Sequence, residues 1–307
     1  MLSAIVLPIV KVFLLIGLGV LLAKLRIVDD VLQSGLSRLV VQVFSPFMAL
    51  AAAGQELTSA MSMGLIQVAI ITLAYYLVSI GAGRLIAGRL KLDGDHKRAF
   101  SVSVVFTNSL FLGLPVAVEL FGSEGMLYMM IFNIFYRLFL FTYGTATLGN
   151  EKTSVIKTLL HPAAIATYVS LIVLFSPWRF PAFLQQTFDS LSACLTPIAL
   201  IMVGHSISKL NIKQIFIDKY AYLVSFLRLL VFPLLTLLVL WLLGVPYTVG
   251  ASCIIGIAAP VAALILSFSV QYDTAPQFVS RCVVQSTLFM VVTLPLMLFL
   301  CGLLLPQ

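Results

Sequence analysis

The stretch TNSLFLGLPVAVELFG, residues 107–122, decides how the chain is read. It is mostly apolar, yet Asn108, Gly113 and Pro115 sit close together inside it. It is too oily for a surface loop, and an ordinary buried helix has no use for an amide beside two helix breakers. Proline lacks an amide hydrogen and its ring clashes with the preceding turn. Glycine lowers helix stability by about 1 kcal/mol relative to alanine. The sequence therefore predicts a kink or an unwound turn near 113–115. What surrounds that turn decides where its freed backbone groups go.

Composition names the surroundings. The chain has 307 residues, 61% of them hydrophobic and 9% charged, with mean hydropathy +1.13. Soluble domains average about 45–50% apolar and about 25% charged residues. Such a chain matches a bilayer better than water. The start, MLSAIVLPIVKVFLLIGLGVLLAK, has no basic residue before its apolar run and no small-x-small cleavage site. It reads as a first spanning helix, not as a cleavable signal. The four cysteines, Cys194, Cys253, Cys282 and Cys301, lie in apolar runs without metal-like spacing and read as packing.

A spanning helix needs about 20 apolar residues. Ten candidates are visible, at 8–24, 33–53, 61–83, 99–121, 125–148, 162–176, 187–206, 219–243, 248–270 and 279–302. Of the 18 Lys and Arg, twelve fall in the odd connections. One, Arg179, falls in the even connections, and Lys11, Arg38, Arg137, Arg228 and Arg281 lie within spans or at their ends. The net charge of +7 is thus explained by basic cytoplasmic loops, without nucleic acid. This bias places the odd connections in the cytoplasm and both termini outside. Trp178 and Trp241 then fall at outer interfaces, the level that indoles favour.

Ten spans divide into five and five, and an odd number per half inverts the second copy. Two proline pairs support a repeat. Pro46 and Pro197 are 151 residues apart, and Pro115 and Pro260 are 145 apart, both close to half the chain. The expected architecture is an all-α integral membrane protein of ten transmembrane helices. Residues 1–155 form the first five-helix repeat and 156–307 the second, inverted one, with helices 4 and 9 broken at their prolines and crossing. Freed backbone groups there must face protein, water or a ligand, since lipid cannot satisfy them. The small residues Gly256, Ala258, Ala259, Ala262 and Ala263 around Pro260 permit close approach. The plainer reading is that Pro115 and Pro260 merely bend packed helices.

These residues carry a family resemblance. Asn108, Gly113 and Pro115 in the pattern N-x-x-x-x-G-x-P, followed by Phe121-Gly122, resemble the auxin efflux carrier family. PIVKVFLLIGLGVLLAKLRIVDD with LSRLVVQVFSPFMAL, and AAPVAALILSFSVQY leading to TLPLMLFL, resemble it too, over essentially the whole chain. The resemblance implies a scaffold of spans 1, 2, 6 and 7 beside a mobile unit of spans 3–5 and 8–10. It implies a homodimer that moves organic anions by alternating access, either auxin-like carboxylates or malonate- and malate-type dicarboxylates. The short connection at 149–161, without the long polar loop of many plant members, resembles the bacterial branch and hence an inner-membrane location.

Several residues are candidates for substrate contact. Asn108 matches the family's asparagine and can donate and accept; an interhelical hydrogen bond is its alternative role. Arg137, near Asn133 in span 5, would hold a carboxylate bidentately or pair with Glu119. Ser109, Gln285 and Ser286 line a cavity or join helices, and Gly113, Pro115, Ala259 and Pro260 form the breaks. Arg38 and Asp189 read as caps on pseudo-symmetric helices, Lys11 and Arg281 as interfacial, and His205 as a solvated or hydrogen-bonded residue near loop level. Arg228 has no evident partner. No carboxylate flanks either break except Glu119, so no proton- or sodium-binding acid is expected at the crossing. No cofactor is implied. A channel or sensor is the alternative reading. An intramembrane enzyme fits less well, because the three histidines are scattered and neither GxSxG nor HExxH occurs.

Overall fold

A computed structural model describes residues 2–54, 58–149, 162–209 and 218–306. Most of the connection at 149–161, and residues 210–217 of the connection between the seventh and eighth expected spans, lie outside the described residues. All regular structure among the described residues is helical, and the one extended pairing is an isolated antiparallel bridge between Thr107 and Val261. Six segments are long and apolar enough to cross a membrane: Asp30–Ala52, Ser59–Arg89, Ser109–Gly149, Ala182–Ser208, Lys219–Leu242 and Pro276–Leu304. Ala164–Phe175 and Tyr247–Ala258 are shorter apolar helices. The segment Ser109–Gly149 contains a sharp turn at Gly122, whose φ of 58° and ψ of −133° only glycine adopts without strain. Gly122 thus ends one helix and starts the next, where the sequence separates its fourth and fifth spans.

The prolines behave differently from their simplest reading. Five-residue π-helical turns run over Val40–Phe44, Ser109–Gly113 and Leu227–Val231. Each ends two residues before a proline, at Pro46, Pro115 and Pro233 respectively. A proline cannot donate to the carbonyl four residues back and its ring collides with it. A turn widened by one residue removes both problems while the helix continues. Pro115 is therefore absorbed two residues into the helix Leu114–Phe139, close to its start, where a missing amide hydrogen costs little. At 113–115 the chain stays helical, with the irregularity taken up by the π turn that ends at Gly113.

Chain contacts group into two compact units. The first comprises Met1–Ile66, Leu110–Ile131 and Ile156–Lys209, the second Gln67–Ser109, Phe132–Val155 and Leu210–Gln307. In the first, Leu2–Lys24 packs along Leu195–Ser208, and Ser45–Ala52 packs against Pro162–Phe175 and Ala182–Ala193. The first pair meets backbone to backbone. A Cβ on Gly204 would lie 2.0 Å from the Ile16 carbonyl oxygen, and one on Gly19 would lie 2.1 Å from that of Ile201. Small residues allow this approach where no hydrophobic effect drives helices together. Lys11 does not merely reach for the interface: its ammonium bonds Glu119 at 2.7 Å. His205, expected to be solvated or hydrogen-bonded, is buried, and its Nδ1 has no hydrogen-bond partner among the described residues. Asp189 accepts from Gln185, which also donates to the Ala51 carbonyl. Arg179 caps a helix, donating to the carbonyls of Val173, Ser176 and Trp178.

In the second unit, Pro276–Leu304 packs against Lys219–Phe226, Tyr247–Ala258, Ala263–Gln271 and Gly94–Val105. Asp93 caps the start of Gly94–Val105, and the His96 backbone N–H holds its carboxyl below the usual carboxylate range. The core here is aromatic: Tyr76 lies 6.0 to 6.1 Å from Phe132 and Phe106 and stacks on Phe139 at 5.0 Å. Gly256 faces this cluster, where a Cβ would lie 2.8 Å from the Phe132 ring.

Gly204→Ala is expected to lower stability by about 1–3 kcal/mol, the usual result of forcing atoms into a filled contact. Gly17→Ala, with nothing within 4 Å of the new methyl, should leave it unchanged or slightly raised. Thermal unfolding of both purified variants in detergent reads the difference; equal melting temperatures would contradict the backbone contact.

Candidate functional site

The candidate site lies within the second unit, where two helices stop. Gly94–Val105 ends at Phe106, whose φ of −95° and ψ of 123° are extended. Tyr247–Ala258 ends at Ala259, also extended, and helix resumes at Ala263. The first interruption thus falls at 106–108, some seven residues before Pro115. Its sequence signal is weak: a run of β-branched residues, Val104, Val105 and Thr107, with low helix propensity. The second falls at Pro260, as the sequence predicts.

The two interruptions satisfy each other. The Asn108 amide donates to the Pro260 carbonyl at 2.7 Å, and the Ala262 amide donates to the Phe106 carbonyl at 3.0 Å. Between these bonds lies the Thr107–Val261 bridge. Val261 donates its amide to the Ser286 hydroxyl at 3.0 Å, and that hydroxyl donates on to the Cys282 carbonyl. At the end of Gly94–Val105, the Val102 carbonyl accepts from Phe106 and the Val105 carbonyl from the Tyr75 hydroxyl. The Ser103 and Val104 carbonyls accept from Arg228, at 3.4 and 2.8 Å. The same guanidinium donates from Nε to the Ala259 carbonyl at 3.2 Å. All four final carbonyls of one helix, and the first freed carbonyl after the other, have donors.

The candidate residues divide accordingly. Asn108 is half-buried at the junction, and its carboxamide has no hydrogen-bond partner among the described residues. Ser109 is buried and donates to the Asn133 side-chain oxygen at 2.9 Å. Arg137 follows one turn after Asn133 on the same face of its helix and is partly accessible. Ala259 and Pro260 form the second interruption. Gln285 is fully buried and accepts from Ser225 at 3.1 Å, so it joins helices. Ser286 is likewise committed to the backbone of the break. Gly113 and Pro115 fall in the first unit and take no part in the junction. Glu119, the alternative partner for Arg137, is bonded to Lys11.

Sequence reading singled out Arg228 but found no partner for it; the residue is completely buried. The clue was present. An arginine well inside a span, in a chain whose spans hold almost no carboxylate, has only carbonyls left to bind, and free carbonyls inside a membrane exist only where helices stop. Tyr75 was missed for the same reason.

Residues 4–152 and 147–298 match the profile of a family described as "Membrane transport protein". The chain is 26% identical over 292 residues to an uncharacterized transporter of Methanothermobacter thermautotrophicus, covering 94% of this chain and 95% of that one. It is 26% identical over 131 residues to an uncharacterized transporter of Methanocaldococcus jannaschii, covering 40% and 42% respectively. With two matches that together span nearly the whole chain, helices fit to cross a bilayer, and the asparagine-to-proline pattern that led the reading, the protein belongs to this membrane transport family, the auxin efflux carriers, as a multi-pass transporter.

Proposed function

We propose that the protein is a secondary carrier of small organic anions, of the dicarboxylate or auxin-like carboxylate class, working by alternating access. The observation that carries this is the paired interruption with the uncommitted Asn108 carboxamide at its edge. Interrupted helices place half-helix N-termini inside the membrane, and these attract anions. Here helix restarts at Ser109 and at Ala263, just past the junction. The Ser109–Asn133 bond holds one side of the site, and Arg137 supplies a positive charge suited to a carboxylate.

The ten-helix reading of two inverted repeats, 1–155 and 156–307, belongs to this proposal. Supporting it, the paired residues Thr107 and Val261 are 154 positions apart, close to the 151 that separate Pro46 and Pro197. The scaffold of spans 1, 2, 6 and 7, the mobile unit of spans 3–5 and 8–10, a homodimer, a bacterial inner membrane and outward termini complete it. A mobile unit needs an internally welded junction to move as a body, and the bonds at 106–108 and 259–262 supply one.

Purified protein should be stabilised against heat by one class of anion, tested with malate, malonate and an indole-type carboxylate. Asn108→Ala removes a hydrogen bond to a charged group, about 1.5–3 kcal/mol, and should weaken that stabilisation by about 10–100-fold in concentration. Stabilisation unchanged in the variant would remove Asn108 from the site. Arg137→Lys keeps the charge but not the fork and should weaken dicarboxylates most; equal affinity would contradict bidentate recognition. Saturable counterflow in vesicles is the outcome expected of a carrier, and linear flux would favour a channel.

A further inference from the structure

The junction raises a question of charge. Each helix C-terminus carries roughly −0.5 elementary charge, so two ends that meet inside a membrane present about −1. Freed carbonyls at such places are where carriers coordinate a sodium ion or a proton. In this protein the carbonyls of Ser103, Val104 and Ala259 converge on the guanidinium of Arg228. Arg228 makes no ion pair with any carboxylate among the described residues. An unpaired charge in a dry interior is very unfavourable. The two helix ends supply the compensation, and their combined partial charge matches one guanidinium.

We propose that Arg228 is a tethered cation, occupying the place between the two half-helix ends where a metal cation would otherwise bind, and that transport consequently requires no cation partner. The hydrogen-bond inventory supports this beyond charge alone. Three carbonyls that would ligate an ion are already accepting from Nε and Nη1. The remaining edge, Nη2, has no acceptor among the described residues. The three converging carbonyls thus already face a bound cation that brings a surplus donor, so a sodium ion entering here would have to displace it. The tether also explains why an arginine sits here: a guanidinium's planar fork reaches carbonyls on two different segments at once, which an ammonium does less well.

The test uses purified full-length protein, melted in choline, sodium or potassium chloride, and again with millimolar guanidinium. Wild type should melt at the same temperature in the first three. Arg228→Ala should melt lower, by on the order of 10 °C. It should then regain stability in sodium, potassium or guanidinium relative to choline, increasingly with concentration. A variant that no cation stabilises, or a wild type that sodium stabilises, would overturn the proposal. Should Arg228→Ala not fold, Arg228→Lys and Arg228→Gln decide. The lysine variant must be the more stable, and a glutamine variant equal to it would show that donors matter and charge does not. The transport consequence rests on the carrier reading above, whereas these melting experiments do not. Uptake into vesicles should be equal in choline and sodium, and uptake that needs sodium would overturn that consequence while leaving the melting result standing.

Discussion

Backbone amides and carbonyls inside a bilayer have no water to bond, and each one left alone costs several kcal/mol. Stopping a helix in that setting frees a set of them at once. This protein stops two helices and gives each set to the other. Asn108 and Ala262 supply amides, Pro260 and Phe106 supply carbonyls, and the pairing is a two-residue fragment of antiparallel sheet. Ser286, Tyr75 and Arg228 take what remains. The rest of the second unit packs around that junction. The aromatic cluster around Tyr76 and Phe132 surrounds it, and Gly256 lets the Phe132 ring close against the helix that leads into it.

The class of fold was readable from residues because it depends on bulk hydropathy, which lipid imposes uniformly along a span. Some helix ends lie within a few residues of the expected ones, as at Lys219–Leu242 against 219–243 and Pro276–Leu304 against 279–302, whereas Gly94–Val105 and Tyr247–Ala258 stop well short of the expected 121 and 270. Position of the first interruption was not readable. Pro115 announced a break that a π turn absorbs, whereas the true break at 106–108 contains no proline or glycine at all. It is set by tertiary pairing with Val261, and pairing across more than a hundred residues leaves no local mark. A proline alone does not decide a break: Pro8 and Pro295 lie inside continuous helices. At Pro260 the preceding residues, Tyr247–Ala258, form a regular helix without a π turn, and there the chain does unwind.

Polar candidates were harder to sort, because hydrogen-bond chemistry alone does not say whether a side chain serves the fold or a ligand. Gln285 and Ser286 have the same chemistry as Asn108. The structure separates them by occupation: Gln285 accepts from Ser225 and Ser286 serves the Val261 amide, whereas among the described residues the Asn108 side chain has no hydrogen-bond partner although its backbone is committed. The same criterion reassigns Lys11 and Glu119 to each other. A residue name fixes what bonds are possible, and only the neighbours fix which are already made.

The two intramembrane arginines show how one chemistry divides between structure and ligand. Arg228 has no accessible surface, three carbonyl acceptors and two helix ends to neutralise it. Its charge is cancelled within the unit and has little left to offer a solute. Arg137 is partly accessible, one turn from an asparagine already oriented by Ser109. The two arginines thus differ in what surrounds them: backbone carbonyls of two helix ends for Arg228, a partly accessible helix face for Arg137.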